Sequence, residues 1–488
     1  MKWANPLVAV TSAIVLVAEI VAARMVAPYV GVTLETFSAV IGCVLGAIAL
    51  GNWCGGRLAD RADPRPALGA VCAFGGIGLL LAPAIVHRLG PVLAGPSPFA
   101  ALALATVGFA MPCAALSAVS PIVVRHLGSG STRLGRVAGN VSAFATVGAL
   151  LGNFGAGFWL VGAFGSTAIL VGVGSVATAI GVVLLAAIRI RRPLAIGAVA
   201  ATSAIGLGTL ATIADASTPC TIETAYVCLS IDEPAPDQFH VRSNIYSSSY
   251  TNVADPTDLR LPYARDVAAV IDAARPGASH IVTIGGGGET LVRYLASTRP
   301  TSSQTVIEID SALATAVRDH LGPFMGDERV RTIIGDAGLV MRDLPYGGAD
   351  VVIGDAFSGL AVPWHLTTVE FLTLVRDRLT ADGIYVMNVV DAGNYALARA
   401  EIATLARVFD EVVVLTRGAA LEPNGPNTNL VVVAGSRLPG ANELEVAVRN
   451  AGSSSIVVSG DALTEFVDGA ALLTDDHAPT DQLVDAGR

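Results

Sequence analysis

The chain is predicted to join two fold classes in series, an α-helical multi-span membrane domain and then a doubly wound α/β domain. Three observations predict this. The 488 residues are 53% hydrophobic and only 14% charged, against about 25% charged in an ordinary soluble domain, and the mean hydropathy is positive. The charge is divided: up to Ile213 there are 12 basic and 4 acidic residues, net +8, and from Ala214 onward 18 basic and 36 acidic, net −18. From about residue 280, short apolar runs alternate with helical patterns, as in a parallel sheet covered on both faces.

The first half reads as seven spans of roughly 20 apolar residues each, near 6–27, 34–54, 66–87, 98–124, 137–161, 166–188 and 193–213. The first is too long for a signal peptide, carries Glu19 and Arg24, and is followed by further spans. Small residues, as in GAIALGNWCGG and GALLGNFGAGF, let helices approach closely in lipid. Arg57, Arg61 and Arg65, then Arg125, Arg133 and Arg136, then Arg189, Arg191 and Arg192 fall in alternate loops. The positive-inside rule puts those loops and the N-terminus in the cytoplasm. Seven spans would then place the second half outside, in a multi-pass protein of the cell membrane. Glu19 and Arg24, ionisable residues within or at the end of a span, are either a functional pair or a structural one, with Glu19 bonded to Arg24 or to a loop arginine.

Residues 214–240 read as a linker rich in Pro, Asp and Ser. Cys220 and Cys228 are the only cysteines outside the spans, and they can close a disulfide in an oxidising compartment or remain free thiols. No sequence pattern for a metal site is present. Lys2 is the only lysine, which argues against Schiff-base, pyridoxal phosphate and P-loop chemistry. The acidic second half has no basic stripe, so no nucleic-acid partner is expected.

The α/β domain is assigned to 241–488, with a small strand region at 241–262. Its first strand, Ile281–Ile284, runs into Gly285, Gly286, Gly287 and Gly288, a turn that lets a ligand approach the backbone. The second strand, TVIEID, brings Glu308 or Asp310 to the position of a ribose-binding acid, about 23 residues after the first glycine. Asp336, followed by Ala337, ends the third strand, and Asp355 ends the fourth. A glycine turn and three strand-end acids, in order, form a nucleoside-site pattern; each acid could instead be a cap or turn residue.

GGGGET, VIEID, IIGDA and VVIGDAFSG resemble the aminopropyltransferase, or spermidine synthase, branch of the class I S-adenosylmethionine-dependent methyltransferase fold, over about 240–440. More closely, the chain resembles bacterial membrane proteins that fuse a transporter-like span bundle to a spermidine synthase-like domain. GNWCGGRLADR is similar to the loop after the second span of major-facilitator transporters. The resemblance implies a seven-stranded sheet, a membrane-bound transferase of polyamine biosynthesis, and decarboxylated S-adenosylmethionine as aminopropyl donor. It assigns Gly285, Gly286, Gly287, Glu308, Asp310, Asp336 and Ala337 to the nucleoside. Asp355 matches the catalytic base that deprotonates and aims an attacking amine.

Several positions depart from that family. Its second D-x-x-D-P acid falls on Ser358, the acid of its glycine turn on Gly288, and the acid after the kept Tyr263 on Ala264. Glu289 and Asp391 are the acids that could stand in. On the acceptor side the candidates are Tyr263, Ser358, His365 and Asp391, with His365 either a base or a packing residue and Trp364 and Phe357 either pocket or core. Asp475 is either a lid acid or a loop cap. The expected partners are the bilayer and a small-molecule amine or other acceptor, with a homodimer left open. Two other functions fit the same fold, S-adenosylmethionine-dependent methyl transfer and non-catalytic nucleoside sensing coupled to the bundle.

Overall fold

The computed structural model describes residues 3–31, 33–95, 97–128, 133–189, 220–244, 246–417 and 425–484. The chain divides into two compact units, Met1–Cys228 and Leu229–Arg488.

The described part of the first unit has six helices long and apolar enough to cross a membrane. They are α1 (Ala4–Val30), α2 (Leu34–Arg61), α3 (Pro64–Leu93), α4 (Pro98–Gly128), α5 (Leu134–Ala163) and α6 (Ser166–Arg189). Their starts follow from local chemistry. Thr33 accepts the Thr36 amide at 3.2 Å before α2, and Asp63 accepts the Arg65 amide at 3.0 Å, with Pro64 in the first turn of α3. The seventh expected span, 193–213, lies outside the described residues.

Small residues pack the bundle as expected. A Cβ at Gly148 of α5 would lie 2.0 Å from the Ala9 carbonyl oxygen of α1, so only glycine allows that crossing. The stretch GNWCGGRLADR is not a loop; it forms the last turns of α2, where the Arg57 guanidinium lies 3.4 Å from the centre of the Trp53 ring. No breaker occurs before Pro64, so the helix continues beyond the predicted end of the span. Arg24 is paired with Glu223, at 3.1 Å, and not with Glu19. Five residues turn a helix by about 140° beyond one revolution, so the two side chains leave α1 on different faces. Arg24 also donates to the carbonyls of Thr224 and Ala225, and the Ser166 amide donates to Glu223 at 2.9 Å. Cys220 and Cys228 form a disulfide, with Cα atoms 5.1 Å apart.

The predicted linker is shorter than 214–240. Strand β1 (Ile222–Glu223) falls within it. Strands β2 (Cys228–Ala235), β3 (Gln238–Ser243) and β4 (Tyr246–Asn252) form an antiparallel run that starts before residue 241. CLSIDEPA pairs with QFHVRS through a tight turn at Asp237, whose φ is +63°; this hairpin signal was hidden by the Pro and Asp content.

The main sheet contains β5 (His280–Ile284), β6 (Ser303–Glu308), β7 (Val330–Ile334), β8 (Ala349–Gly354), β9 (Leu379–Gly393), β10 (Glu411–Thr416), β11 (Gly425–Gly435) and β12 (Ile456–Val458). Their order is β12-β10-β11-β9-β8-β5-β6-β7. It has eight strands, not seven, and it is mixed. β5 to β9 pair in parallel, whereas β11 runs antiparallel to both β9 and β10, and the short β12 adds antiparallel to β10. The connection between β10 and β11 is too short for a crossover helix, so the two strands pair as neighbours running in opposite directions. Helices α7 (Pro262–Ala274), α8 (Thr290–Thr298), α9 (Ser311–Leu321), α10 (Ala337–Asp343), α11 (Val369–Arg378) and α12 (Ala396–Val408) flank this sheet. Two apolar clusters fill its faces, one around Val352, Phe371 and Leu430, the other around Ile271, Leu295 and Val433. The chain leaves β5 for β6 on one side and returns to β8 on the other. The crevice beyond their carboxyl ends is therefore the expected ligand site.

Candidate active site

The floor of the crevice is backbone. The Gly285 amide donates to the Ile307 carbonyl, and the Asp355 amide to the Ile284 carbonyl, each at 2.9 Å. Gly285 has φ +97°, and a Cβ on it would stand 2.4 Å from the Asp355 carbonyl oxygen. Glycine is thus required both by the backbone angle and by the contact between the two loops. The Gly286 amide donates to Glu308 Oε2 at 2.8 Å, and the Asp310 amide to Oε1 at 2.9 Å. Burial raises the Glu308 carboxyl above its ordinary range, against the lowering by these amides.

Asp355 sits opposite. Tyr263 Oη, from α7, donates to its Oδ2 at 3.0 Å, and Asn388 Nδ2, from β9, donates to its Oδ1 at 2.9 Å. Asn429 Nδ2, from β11, donates to Asn388 Oδ1 at 2.9 Å, which fixes the amide orientation of Asn388. Loss of solvation pushes the Asp355 carboxyl up to about 6, and the two hydrogen bonds act in the opposite direction. Burial and the neighbouring Asp355 push the Tyr263 phenol well up, so it stays a donor at neutral pH. The result is an oriented carboxylate of raised basicity beside a glycine turn and a ribose-type acid, an arrangement suited to proton removal next to a bound nucleoside.

Residues 260–417 match the family model described as spermine/spermidine synthase domain. Over these residues the chain is similar to a spermidine synthase domain. It is similar to a probable polyamine aminopropyl transferase of Bifidobacterium longum, 28% identical over 188 residues, 38% of this chain and 40% of that protein. It is also similar to a polyamine aminopropyltransferase of Vibrio vulnificus, 31% identical over 161 residues, 32% of this chain and 52% of that one. The chain thus spans about half or less of the length of these curated relatives. A solved structure of a probable spermidine synthase from Corynebacterium glutamicum is 26% identical with a TM-score of 0.47, covering 51% of this chain and 92% of that one.

The synthase-type domain brings Gly285, Gly286, Gly287, Glu308, Tyr263 and Asp355 into one crevice. Other expected site residues have partners of their own. Asp310 is a helix cap, its Oδ1 accepting the Ala312 and Leu313 amides of α9 at 3.0 and 3.2 Å. Asp391 is fully buried and accepts the Ala392 and Ala398 amides at 2.9 and 3.0 Å, which anchors the start of α12 and uses both oxygens. Glu289 accepts from Arg293 and from Arg318 Nε at 2.6 Å, so it is an ion-pair centre and no substitute acid. Asp336 caps α10 through the Leu339 amide, and its Oδ2 lies 2.9 Å from His365 Nε2. Nothing along the chain marks that pairing, because the two residues come from different strand ends. Ala337 opens α10 and is buried. Ser358 is exposed, its amide donating to the Ala361 carbonyl at 2.8 Å. Trp364 is half exposed and meets His365 edge-on, while Phe357 packs against the core. Asp475 accepts the Thr368 hydroxyl at 2.8 Å, the role of a loop cap.

Asn388 and Asn429 were missed from sequence. Their signal was available, an amide in each of two otherwise apolar strand cores, VMNVV and TNLVVV. A polar side chain at such a position must find a partner. Among the described residues no group of three or more His, Cys, Asp or Glu could hold a metal ion.

Proposed function

We propose that this membrane-bound protein transfers an aminopropyl group from decarboxylated S-adenosylmethionine to an amine. The observation that carries the reading is Asp355, held by Tyr263 and Asn388 beside the Gly285 turn that Glu308 also engages. Glu308 would accept the ribose hydroxyls. Asp336, with His365, would meet the adenine edge. The open face of the turn at Gly287 would let the sulfonium side chain pass close to Asp355.

In the step itself the amine nitrogen attacks the aminopropyl carbon bonded to sulfur. A carbon–nitrogen bond forms as the carbon–sulfur bond breaks, and sulfur keeps the electron pair, leaving neutral methylthioadenosine. Sulfonium is already a good leaving group, so the domain's tasks are to aim the amine and take its proton. The proton goes to Asp355, whose carboxyl lies at about 6 and is therefore ionised at neutral pH.

Calorimetry on the full chain in detergent, with decarboxylated S-adenosylmethionine, S-adenosylmethionine and methylthioadenosine, tests this reading. Tight binding of the decarboxylated form and of methylthioadenosine is expected; no binding of either would discard it. Methyl transfer is the second reading, and a clear preference for S-adenosylmethionine would select it. The observation in its favour is that the acceptor side carries few carboxylates.

A further inference from the structure

We infer that the acceptor taken by this site is a monoamine and not a diamine or polyamine. The inference rests on the aminopropyl-transfer reading and narrows its substrate class. It follows from an account of the carboxylates at the carboxyl edge of the sheet, each traced to its partners.

Glu289 is neutralised by Arg293 and Arg318. Asp310 and Asp391 are spent on the amides that open α9 and α12. Asp336 is shared between the start of α10 and His365. Glu308 lies on the nucleoside side, against the glycine turn. Among the described acids at this edge, Asp355 alone has its charge directed to the acceptor side, and its donors there are the neutral Tyr263 and Asn388.

The glycine turn has no room for another acid. A Cβ at Gly288 would stand 1.9 Å from Ser249 Oγ and 3.0 Å from Val241 Cγ2. Ser249 is 4% exposed, and its hydroxyl has no partner among the described residues. A neutral hydroxyl therefore occupies the space that an acidic side chain at 288 would enter, and the Thr251 hydroxyl pins β4 over the turn by donating to the Gly288 carbonyl at 2.8 Å. Beyond Asp355 the next mouth residue with a short polar side chain is Ser358, exposed and again neutral. Asp355 already faces the donor's own sulfonium and terminal ammonium and takes the proton of the attacking nitrogen, so no carboxylate is left over at this edge. The second ammonium of a diamine, carried into this crevice, would lose water and gain no counter-charge.

The test compares butylamine with putrescine, which differ by one terminal amino group. The full-length protein is assayed in detergent with decarboxylated S-adenosylmethionine, and methylthioadenosine binding is measured on the same preparation. A kcat/KM for butylamine equal to or above that for putrescine is expected. A preference for putrescine of fivefold or more overturns the inference, as does nucleoside binding with transfer to neither amine. Absence of nucleoside binding sinks the aminopropyl-transfer reading itself, and the inference with it. In a second arm, Ser358→Asp adds a carboxylate at the exposed mouth, where folding is little affected. The putrescine-to-butylamine ratio should rise about tenfold, and an unchanged ratio shows that missing charge does not set the preference.

Discussion

Tyr263 precedes Asp355 by 92 residues, yet its hydroxyl donates to Asp355 Oδ2 at 3.0 Å and orients the carboxylate from α7. This bond has a consequence for pH dependence. A donor to the ionised form lowers a carboxyl's pKa, so Tyr263 and Asn388 partly oppose the desolvation that raises Asp355 to about 6. As a base, Asp355 must be ionised, so kcat/KM for transfer should fall as pH drops through about 6. Tyr263→Phe removes one donor and should move that acid limb to higher pH. A pH–rate profile checks this, and a limb that stays in place or moves down removes Tyr263 from the role. Asp355→Asn should cost about 100-fold or more in kcat, within the usual range for loss of a general base.

Gly285 meets the Asp355 loop where a Cβ would lie 2.4 Å from a carbonyl oxygen, at φ +97°. Gly285→Ala should therefore separate the two loops and weaken methylthioadenosine binding by tenfold or more in calorimetry. Gly287 also has positive φ, but no atom lies within 4 Å of its Cβ position. Gly287→Ala is thus expected to cost less than Gly285→Ala, and the reverse order would contradict the steric argument.

Arg293 is 1% exposed and rests on Glu289, which Arg318 also engages. Replacing the acid by an amide leaves a buried guanidinium with the Leu321 and Gly322 carbonyls and the Phe324 ring but with its counter-charge gone. Glu289→Gln should destabilise the domain by about 3 kcal/mol, the low end for breaking a buried pair. Thermal unfolding should show a midpoint roughly 10 °C lower for a domain of this size, and an unchanged midpoint would show the pair to be dispensable.

Glu401 on α12 is 1% exposed, and neither carboxylate oxygen has a partner among the described residues. Burial and then the neighbouring Asp391 push its carboxyl well above the ordinary range. Folding therefore favours the protonated acid. Its contribution is fully present below the unfolded carboxyl pKa of about 4.3 and is lost as pH rises toward the folded value. Glu401→Gln keeps the shape and removes the titration, so the decline in unfolding midpoint with rising pH should flatten. Midpoints measured from pH 5 to pH 9 that decline identically in both proteins would rule Glu401 out as its source.

Because disulfides persist in oxidising compartments, the Cys220–Cys228 bond leads us to expect the junction outside the cytoplasm. Intact-mass measurement without reductant should find the protein lighter by two hydrogens, and a reporter fused after Arg488 should signal from outside the cytoplasm. Free thiols at both positions together with a cytoplasmic signal would overturn the placement of the second half outside, which rests on a seventh span.

Much of the site could be read along the chain because its parts are local. Gly285 follows directly on β5, Glu308 ends β6 and Asp355 follows β8, so strand periodicity alone carries them to one edge. The start of α3 at Asp63–Pro64 is local in the same way, since capping depends on a few adjacent residues. What sequence could not distinguish was the use of each acid. Glu308, Asp310 and Asp391 all follow apolar runs, and only the packed structure directs one toward the crevice and two into helix starts.

By itself, then, the sequence determined the two materials of this protein, the alternation of strands and helices from β5 to β9, and the place of the glycine turn, because hydropathy, periodicity and turn chemistry act over a few residues. Tertiary structure alone decided the antiparallel β11, the Asn429–Asn388–Asp355–Tyr263 chain, the Arg24–Glu223 pair and the Ser249 hydroxyl against Gly288. Each of these joins residues from separate elements, and a contact of that kind depends on where the elements meet and not on the residues beside it in the chain.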